Sequence, residues 1–534
     1  IGLLGIVKAG AAYVPIDPKA PAERLRYIRE NADLDIIVSD HSSSVLLPDA
    51  LPHTVLIDEA LDPQWLAQYS VSNLGVPVSY EDAMYIIYTS GSTGHPKGVS
   101  VSNANVMHLQ NAMVKTLSEH NLQAPFKWAW NAPVYFDASV QALTLLAKGA
   151  ELYLLDDEHR TEPDLLARYL DSQKIDLLDT TPSLLDVLIK AADFAQVKLP
   201  NLLVGGEAIS STLWQQISKH CNRSKRFALN VYGPTECTVN TTFALIEANR
   251  APTIGKSLPG TEVFVLNESK QLLPHGVEGE LAIGGHGVAQ GYINNPVMTD
   301  KHFISHPNIG RLYLTGDLVS LSADGNLEYK GRVDHQIKLR GHRVELGEIE
   351  EVLCRHDSVS GAVVTFENEQ LRAFVVSEDV SQNALQRYLK KLLPSYMQVS
   401  HIEFIPEIPI TINGKKDRKK LAAMKVESIT DQYVAPQNET QSAIQQIWHK
   451  LLEREDIGIE DNFFDIGGHS LMAIRIASAC RELFQVEVKL SEFMEAPTIK
   501  QLAERIINAA KAHSAAAQVI HTNLNPKNNQ RVIL

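Results

Sequence analysis

Hydrophobic positions along the chain switch repeatedly between helical and strand spacing. Ile1–Lys8 and Ala22–Asn31 carry apolar residues at helical intervals, whereas 35–39 and 54–57 are short β-rich runs. Met84–Tyr88 then predicts a buried strand and Asn103–Leu117 a helix, with further strands at Leu177–Asp179, Leu202–Val204, Phe227–Val231 and Gly279–Gly285. This alternation points to α/β layering. A charged segment at 331–350 ends the strand-rich body. A smaller block follows, with helices over Glu348–Arg355 and Ala384–Leu392 and strands over Gly361–Glu367 and Arg372–Ser377. Periodicity fades from Val426 to Gln437, as in a linker. Ile444, Ile447, Trp448, Leu451 and Leu452 then fall on one helical face, the start of a new small core, and Leu471–Leu483 is again helical. The pattern predicts an α/β and α+β multidomain chain. Its parts are a large subdomain at 1–333, a small one at 334–425, a linker at 426–437, a helical domain at 438–508 and a tail at 509–534.

The chain has 534 residues, enough for several domains of roughly 100–200 residues each. A formal net charge of −14 argues against nucleic acid or an anionic membrane as a partner held by bulk charge. Cys221, Cys237, Cys354 and Cys480 lie far apart, which excludes a local CxxC motif and favours a reducing cytoplasmic setting. No apolar stretch approaches the roughly 20 residues of a membrane span. The chain opens inside an apolar helical pattern without Met, so its start is expected to be a cut within a domain.

Candidate chemistry begins at Tyr88–Val99, where Tyr-Thr-Ser-Gly-Ser-Thr-Gly-His-Pro-Lys-Gly-Val follows the buried strand directly. Gly91, Gly94 and Gly98 permit positive φ and close backbone approach to a ligand. Successive N–H groups can form an anion nest, with hydroxyls from Thr89, Ser90, Ser92 and Thr93 and a point charge from Lys97. A flexible surface turn is the alternative. Pro96 and Gly98 flank the lysine and a strand follows, unlike the Gly-x-x-x-x-Gly-Lys-Ser/Thr loop. Asn230-Val-Tyr-Gly-Pro-Thr-Glu236 places Tyr232, Thr235 and Glu236 at a strand end, a ring and a carboxylate suited to a base and to magnesium on phosphates. There the alternative is an ordinary turn with a solvated Glu. Asp317, after a glycine, can accept from two ribose hydroxyls or form an Asx turn. Asp137 precedes an apolar run and is open to a helix N-cap reading, as is Ser470 behind Gly467-Gly468. Lys415 lies beyond a glycine turn, either a swinging cation or part of a basic surface loop. Dense charge at 331–350 is expected to include a solvated face, with Asp334 suited to a pivot between domains.

The loop at 88–99, the turn at 230–236, Asp317, the segment 331–350, Lys415 and the Gly-Gly-His-Ser-Leu at 467–471 follow the order seen in adenylate-forming enzymes. Over about residues 1–508 the chain resembles a nonribosomal peptide synthetase fragment. The resemblance implies most of an adenylation domain, short of its first portion, then a peptidyl carrier domain with a four-helix-bundle fold. It implies Thr89–Lys97, Tyr232, Thr235, Asp317 and Arg332 as the ATP site, Glu236 on Mg²⁺, and Lys415 bridging the substrate carboxylate and the α-phosphate. Asp137 would anchor the substrate ammonium, and Ser470 would carry 4′-phosphopantetheine, added by a phosphopantetheinyl transferase. Ala138, Gln141, Asp179, Leu203, Gly205, Val231, Val239 and Asn240 would line the side-chain pocket. Their polarity matches L-glutamine first and glutamate second. Neighbouring condensation or termination domains would be further partners. A coenzyme A ligase of the same fold and a non-catalytic nucleotide-binding module are the competing readings.

Overall fold

Parallel strands buried on both faces form the centre of the larger part of the molecule. In this computed structural model the described residues are 1–46, 53–60, 62–91, 94–334, 336–339, 341–367, 370–377, 379–410, 416–424, 433–452, 454–464, 466, 468, 470–484, 486, 493, 496–509 and 511. Among them, seven strands make one sheet in the order Lys256–Ser257, Thr242–Leu245, Ala228–Tyr232, Asn201–Gly205, Leu177–Thr180, Lys127–Trp130 and Glu151–Leu154. The last five named pair in parallel, and the first two are antiparallel additions. Continuous apolar runs such as Leu177-Leu178 and Leu202-Leu203-Val204 are what a sheet covered on both faces requires. Helices Pro163–Ser172, Pro182–Ala195 and Ser211–Ser224 bring Leu166, Leu188 and Trp214 to one core. Thr181 and Ser210 cap the latter two, each accepting from the backbone N–H three residues on.

A second sheet pairs Ala83–Thr89 with Lys97–Ser102, and Gly291–Tyr292 lies on the far edge of the latter. Its register sets Thr89 opposite Lys97, which makes 90–96 the connecting turn. Ser102 closes the hairpin and opens helix Asn103–Glu119 through a reciprocal capping box with Asn105. A third, antiparallel sheet runs Thr261–Leu266, Glu278–Gly285, Gly310–Leu321 and Phe303–His306, with Leu327–Arg332 also paired to Gly310–Leu321. Hairpin Gln336–Leu339/His342–Glu345 and helix Leu346–Cys354 come next.

The expected elements fall within a few residues of those observed, for example Ala22–Asn31, Ile36–Ser39 and Ala228–Tyr232. Two expectations are corrected. The antiparallel sheet between 261 and 332 is far more extensive than the one strand read at 279–285, because its half-buried strands carry mixed faces and not apolar runs. The charged segment 331–350 is largely inside the fold: Glu348 is 1% exposed, and Glu345, Glu350 and Gln336 are buried too.

The chain divides into two compact units, residues 1–369, 373–398 and 404–421 in the first and 370–372, 399–403 and 422–534 in the second. Near the end of the first unit Val363, Phe374, Ile405 and Leu421 form a core of their own. In the second, helices Glu439–Leu452, Ser470–Phe484 and 499–509 surround Trp448, Phe463 and Phe493, whose rings lie 5.0–6.2 Å apart. Ile444 and Trp448, from the expected apolar face, are fully buried there. The expected linker is described only from 433 onward, and the tail only at 509 and 511. No described helix is long and apolar enough to cross a membrane.

Candidate active site

The turn between the paired strands Ala83–Thr89 and Lys97–Ser102 is built for oxygen acceptors. A side chain at Gly91 would stand 2.0 Å from the His95 carbonyl oxygen, and Gly94 holds φ +73°, so both positions need glycine. Ser90 Oγ donates to the Arg343 carbonyl at 2.8 Å, and the Gly91 N–H donates to Glu348 Oε2 at 3.2 Å. Glu348 in turn accepts from Arg24 at 3.0 Å. A protein carboxylate thus already sits on a donor of this loop, as a nest of N–H groups would attract. Ser92 and Thr93 lie outside the described residues.

Lys97 is buried beneath the turn, its Nζ 3.9 Å from Glu236 Oε1 and 4.9 Å from the Tyr292 ring centroid. Glu236 lies in the 3₁₀ turn Thr235–Cys237 that follows strand Ala228–Tyr232. It is 0% exposed, which overturns the solvated-turn alternative. Arg343 Nη1 reaches both its oxygens, at 2.9 and 2.8 Å, and the Tyr292 hydroxyl donates to Oε1 at 2.6 Å. Burial alone would raise its pKa, but Arg343 and then Lys97 hold it down, at about 2. Burial, reinforced by Arg343, brings Lys97 down to about 8 despite Glu236. Glu236 is therefore a firmly ionised carboxylate facing two cations.

Beside it, the Tyr232 hydroxyl donates to Asp317 Oδ2, and Arg332 Nη1 donates to Asp317 Oδ1 at 2.6 Å. The register Asp317↔Arg332 explains the pairing. Arg332 also clamps Asp334 through Nε and Nη2, at 2.6 and 2.8 Å. Lys338 Nζ lies 4.9 Å from the Tyr232 ring centroid. Asp137 precedes helix Ala138–Leu146 with αR backbone and makes no side-chain cap bond. Burial raises its pKa, against the nearby Thr235 side chain and Ala138 N–H, which favour its charge.

Several of the residues expected to line the side-chain pocket stand at strand ends. Asp179 pairs with Leu203 and Gly205 with Val231, at the carboxyl ends of three adjacent parallel strands where α/β sheets bind ligands. A side chain at Gly205 would meet the Val231 carbonyl at 2.6 Å. Val239, at φ +70°, and Asn240 follow the turn that carries Glu236. Asn240 Nδ2 donates to Gln141 Oε1 at 2.8 Å, one helical turn beyond Ala138. The Trp128 indole N–H donates to Asp179 Oδ1 at 2.8 Å, and burial raises the Asp179 pKa to about 6. Lys415 lies outside the described residues. Ser470 begins helix Ser470–Phe484, and the preceding Gly468 is held so close to Phe463 that a Cβ would stand 2.4 Å from its ring.

Sequence reasoning missed Arg343, Tyr292, Lys338 and Glu348. The only signal for three of them was their place in the charged segment, and Tyr292 stands outside that segment.

Comparison with known proteins fits this geometry. The AMP-binding enzyme model matches residues 1–293, the AMP-binding enzyme C-terminal domain 348–415, and the phosphopantetheine attachment site 442–506. A linear gramicidin synthase of Brevibacillus parabrevis is 38% identical over 96% of this chain, and a surfactin synthase of Bacillus subtilis (strain 168) is 38% identical over 94%. This chain spans 7% and 14% of their respective lengths. A holo nonribosomal peptide synthetase protein containing adenylation and carrier domains superposes with a TM-score of 0.77 at 24% identity, over 95% of this chain and 85% of that one. A holo four-domain synthetase bound to AMP and glycine gives 0.56 at 32% identity, over 95% and 38%. The chain belongs to the AMP-binding enzymes. It has the layout of a nonribosomal peptide synthetase adenylation-plus-carrier segment, with a large N-terminal domain, a small C-terminal subdomain and a carrier domain.

Enzymes of this family use ATP and Mg²⁺, and the carrier is a phosphopantetheine attachment domain. The residues present suit both. Among the described residues no cluster of three or more His, Cys, Asp or Glu side chains could cage a metal. Mg²⁺ needs only one or two carboxylates alongside substrate phosphates. Glu236, buried and already paired with a guanidinium, is a carboxylate that could supply one.

Proposed function

We propose that this segment activates an amino acid with ATP to an aminoacyl-adenylate and loads it as a thioester on its own carrier domain, for nonribosomal peptide synthesis in a reducing cytosol. The observation that carries the reading is the buried Glu236 beside Lys97, between the phosphate turn and the Tyr232–Asp317 pair. A triphosphate laid along the turn would find N–H and hydroxyl donors, then Lys97. Tyr232 would pack near the adenine, and Asp317 would accept from the ribose hydroxyls, with Arg332 and Thr235 beside it. Glu236 would hold Mg²⁺, which supplies positive charge to offset that on the phosphates. Asp137 would bind the substrate ammonium. Attack of the substrate carboxylate on the α-phosphorus would expel pyrophosphate, and the negative charge that builds there would be offset by Lys415. The thiol of phosphopantetheine on Ser470, as thiolate, would then attack the acyl carbonyl and expel AMP, forming the thioester. A phosphopantetheinyl transferase would install it, and neighbouring condensation or termination domains would take the product.

The substrate we propose is L-glutamine. Ala138 and Gly205 leave room for a long side chain, and Leu203, Val231 and Val239 suit its methylenes. Asp179 accepts from a terminal NH₂. Asn240 donates into the Gln141 oxygen, which leaves the Gln141 NH₂ to donate to the substrate's amide oxygen. Glutamate would set its carboxylate against Asp179, a like-charge pairing that costs several kcal/mol. A coenzyme A ligase acting on an acid without an amino group would leave Asp137 unpaired, which favours the amino-acid reading. ATP–pyrophosphate exchange by the full-length synthetase across an amino-acid panel should be led by glutamine, with glutamate second. Leadership by an apolar or aromatic amino acid would overturn the assignment. Separately, coenzyme A and a phosphopantetheinyl transferase should add the mass of one arm, and Ser470→Ala should block the addition while exchange continues. Arm addition to that variant would move the attachment site elsewhere.

A further inference from the structure

The most restrictive polar contact behind the side-chain pocket is one that no pocket-lining assignment includes. Trp128 lies on strand Lys127–Trp130, fully buried, beside strand Leu177–Thr180. Its indole N–H donates to the Asp179 carboxylate, reaching Oδ1 at 2.8 Å. We infer that Trp128 is a positioning residue for substrate selection: by holding one oxygen of Asp179 it turns the rest of that carboxylate toward the substrate's terminal amide. The inference rests on the glutamine reading for its choice of substrate, and on the geometry alone for the role of Trp128.

A carboxylate offers about four lone-pair sites, and an indole can only donate, so Trp128 uses one and cannot satisfy the rest. A donor that cannot also accept favours the charged form of Asp179, because a carboxylate oxygen accepts more strongly than the carbonyl oxygen of a neutral carboxyl. That matters because burial pulls the other way and brings this carboxyl within reach of protonation near pH 6. After burial, the largest influences on it are the Trp128 indole and the backbone N–H groups of Asp179, Asn131 and Ala132, none of them charged. A protonated Asp179 would donate a hydrogen bond and so welcome a carboxylate. Removal of the indole N–H shifts the balance toward that form and toward glutamate.

The test uses the full-length synthetase with Trp128→Phe and Trp128→Leu, which lack the donor at two different sizes, Trp128→His, which restores a ring N–H, and Asp179→Asn. Exchange kcat/KM for glutamine and glutamate is measured from acid to alkaline pH. The glutamine-to-glutamate ratio should fall about tenfold at neutral pH in whichever donorless variant folds, the scale of one buried hydrogen bond. The pH at which the ratio changes should rise, Trp128→His should recover part of both, and Asp179→Asn should abolish the pH dependence. Equal losses for both amino acids at every pH, with an unmoved midpoint, would make Trp128 a packing residue and overturn the inference. If the wild-type protein activates neither amino acid, the glutamine reading has failed by itself. The role of Trp128 is then decided by the carboxyl infrared band that Asp179→Asn removes. An upward shift of its titration in the donorless variant supports positioning, and an unchanged titration overturns it.

Discussion

Glu236→Gln should abolish pyrophosphate exchange and also weaken the fold. The carboxylate is fully buried and meets Arg343 through both oxygens, Lys97 at 3.9 Å and the Tyr292 hydroxyl at 2.6 Å. An amide keeps the volume but removes the charge, and its NH₂ would face the guanidinium it replaced as acceptor. Removal of one partner from a buried ion pair costs about 3–5 kcal/mol. Activity should fall by about 10²–10³ or more, since the variant loses an electrostatic element of the reacting site. Urea unfolding and exchange rates separate the two effects. Adding Arg343→Met to Glu236→Gln removes the stranded guanidinium, so stability should return in part, whereas exchange should not. Wild-type exchange in Glu236→Gln would remove this carboxylate from the ATP site.

The parts of this site that were legible in the sequence are those whose chemistry restricts residue type locally. Gly91 and Gly94 are demanded by backbone geometry, and Lys97 follows them within one turn, so the pattern shows without any fold. Gly205 is similar, pressed against the Val231 carbonyl. Arg343 was not legible. It reaches Glu236 across 107 positions, and Tyr292 across 56, so only the tertiary fold brings them there. The segment that carries Arg343 was expected to be partly solvated because its charges are dense. The fold leaves Asp334 exposed but buries or half-buries most of the rest, with Glu348 on Arg24 and Glu350 on Lys416. Trp128 was hidden differently: an apolar strand residue shows its packing in the sequence and conceals its one N–H. The antiparallel strands between 261 and 332 were underread for want of apolar runs, whereas three of the parallel strands, Leu177–Thr180, Asn201–Gly205 and Ala228–Tyr232, announced themselves; Lys127–Trp130 and the half-exposed Glu151–Leu154 did not.

Lys415→Ala and Arg343→Ala should impair opposite halves of the reaction. The described arrangement turns the segment 336–348 toward the nucleotide residues: Arg343 on Glu236, Lys338 near Tyr232 and Glu348 on the Gly91 N–H. In the proposed ATP site, Mg²⁺ and Arg343 would compete for the oxygens of Glu236, and a phosphate and Glu348 for the Gly91 N–H. ATP binding would then require this segment to withdraw, with Asp334, exposed and held among the described residues by Arg332 and Gln336, as the proposed pivot. With the segment withdrawn, the proposed cation at the α-phosphate would be Lys415. Its loss should cut exchange by about 10²–10³, the cost of one charge-stabilising group in a closed site. Thioester formation from pre-made aminoacyl-adenylate should suffer far less. Arg343→Ala should do the reverse, sparing exchange and slowing acyl transfer from pre-made adenylate, because Glu236 would then face the second half-reaction without its guanidinium. Asp334→Pro, which fixes φ near −65° and removes an N–H, should penalise one half-reaction more than the other. Single-turnover measurements of both steps on each variant decide the matter: a uniform loss across the two steps in all three variants would leave the two-arrangement account without support.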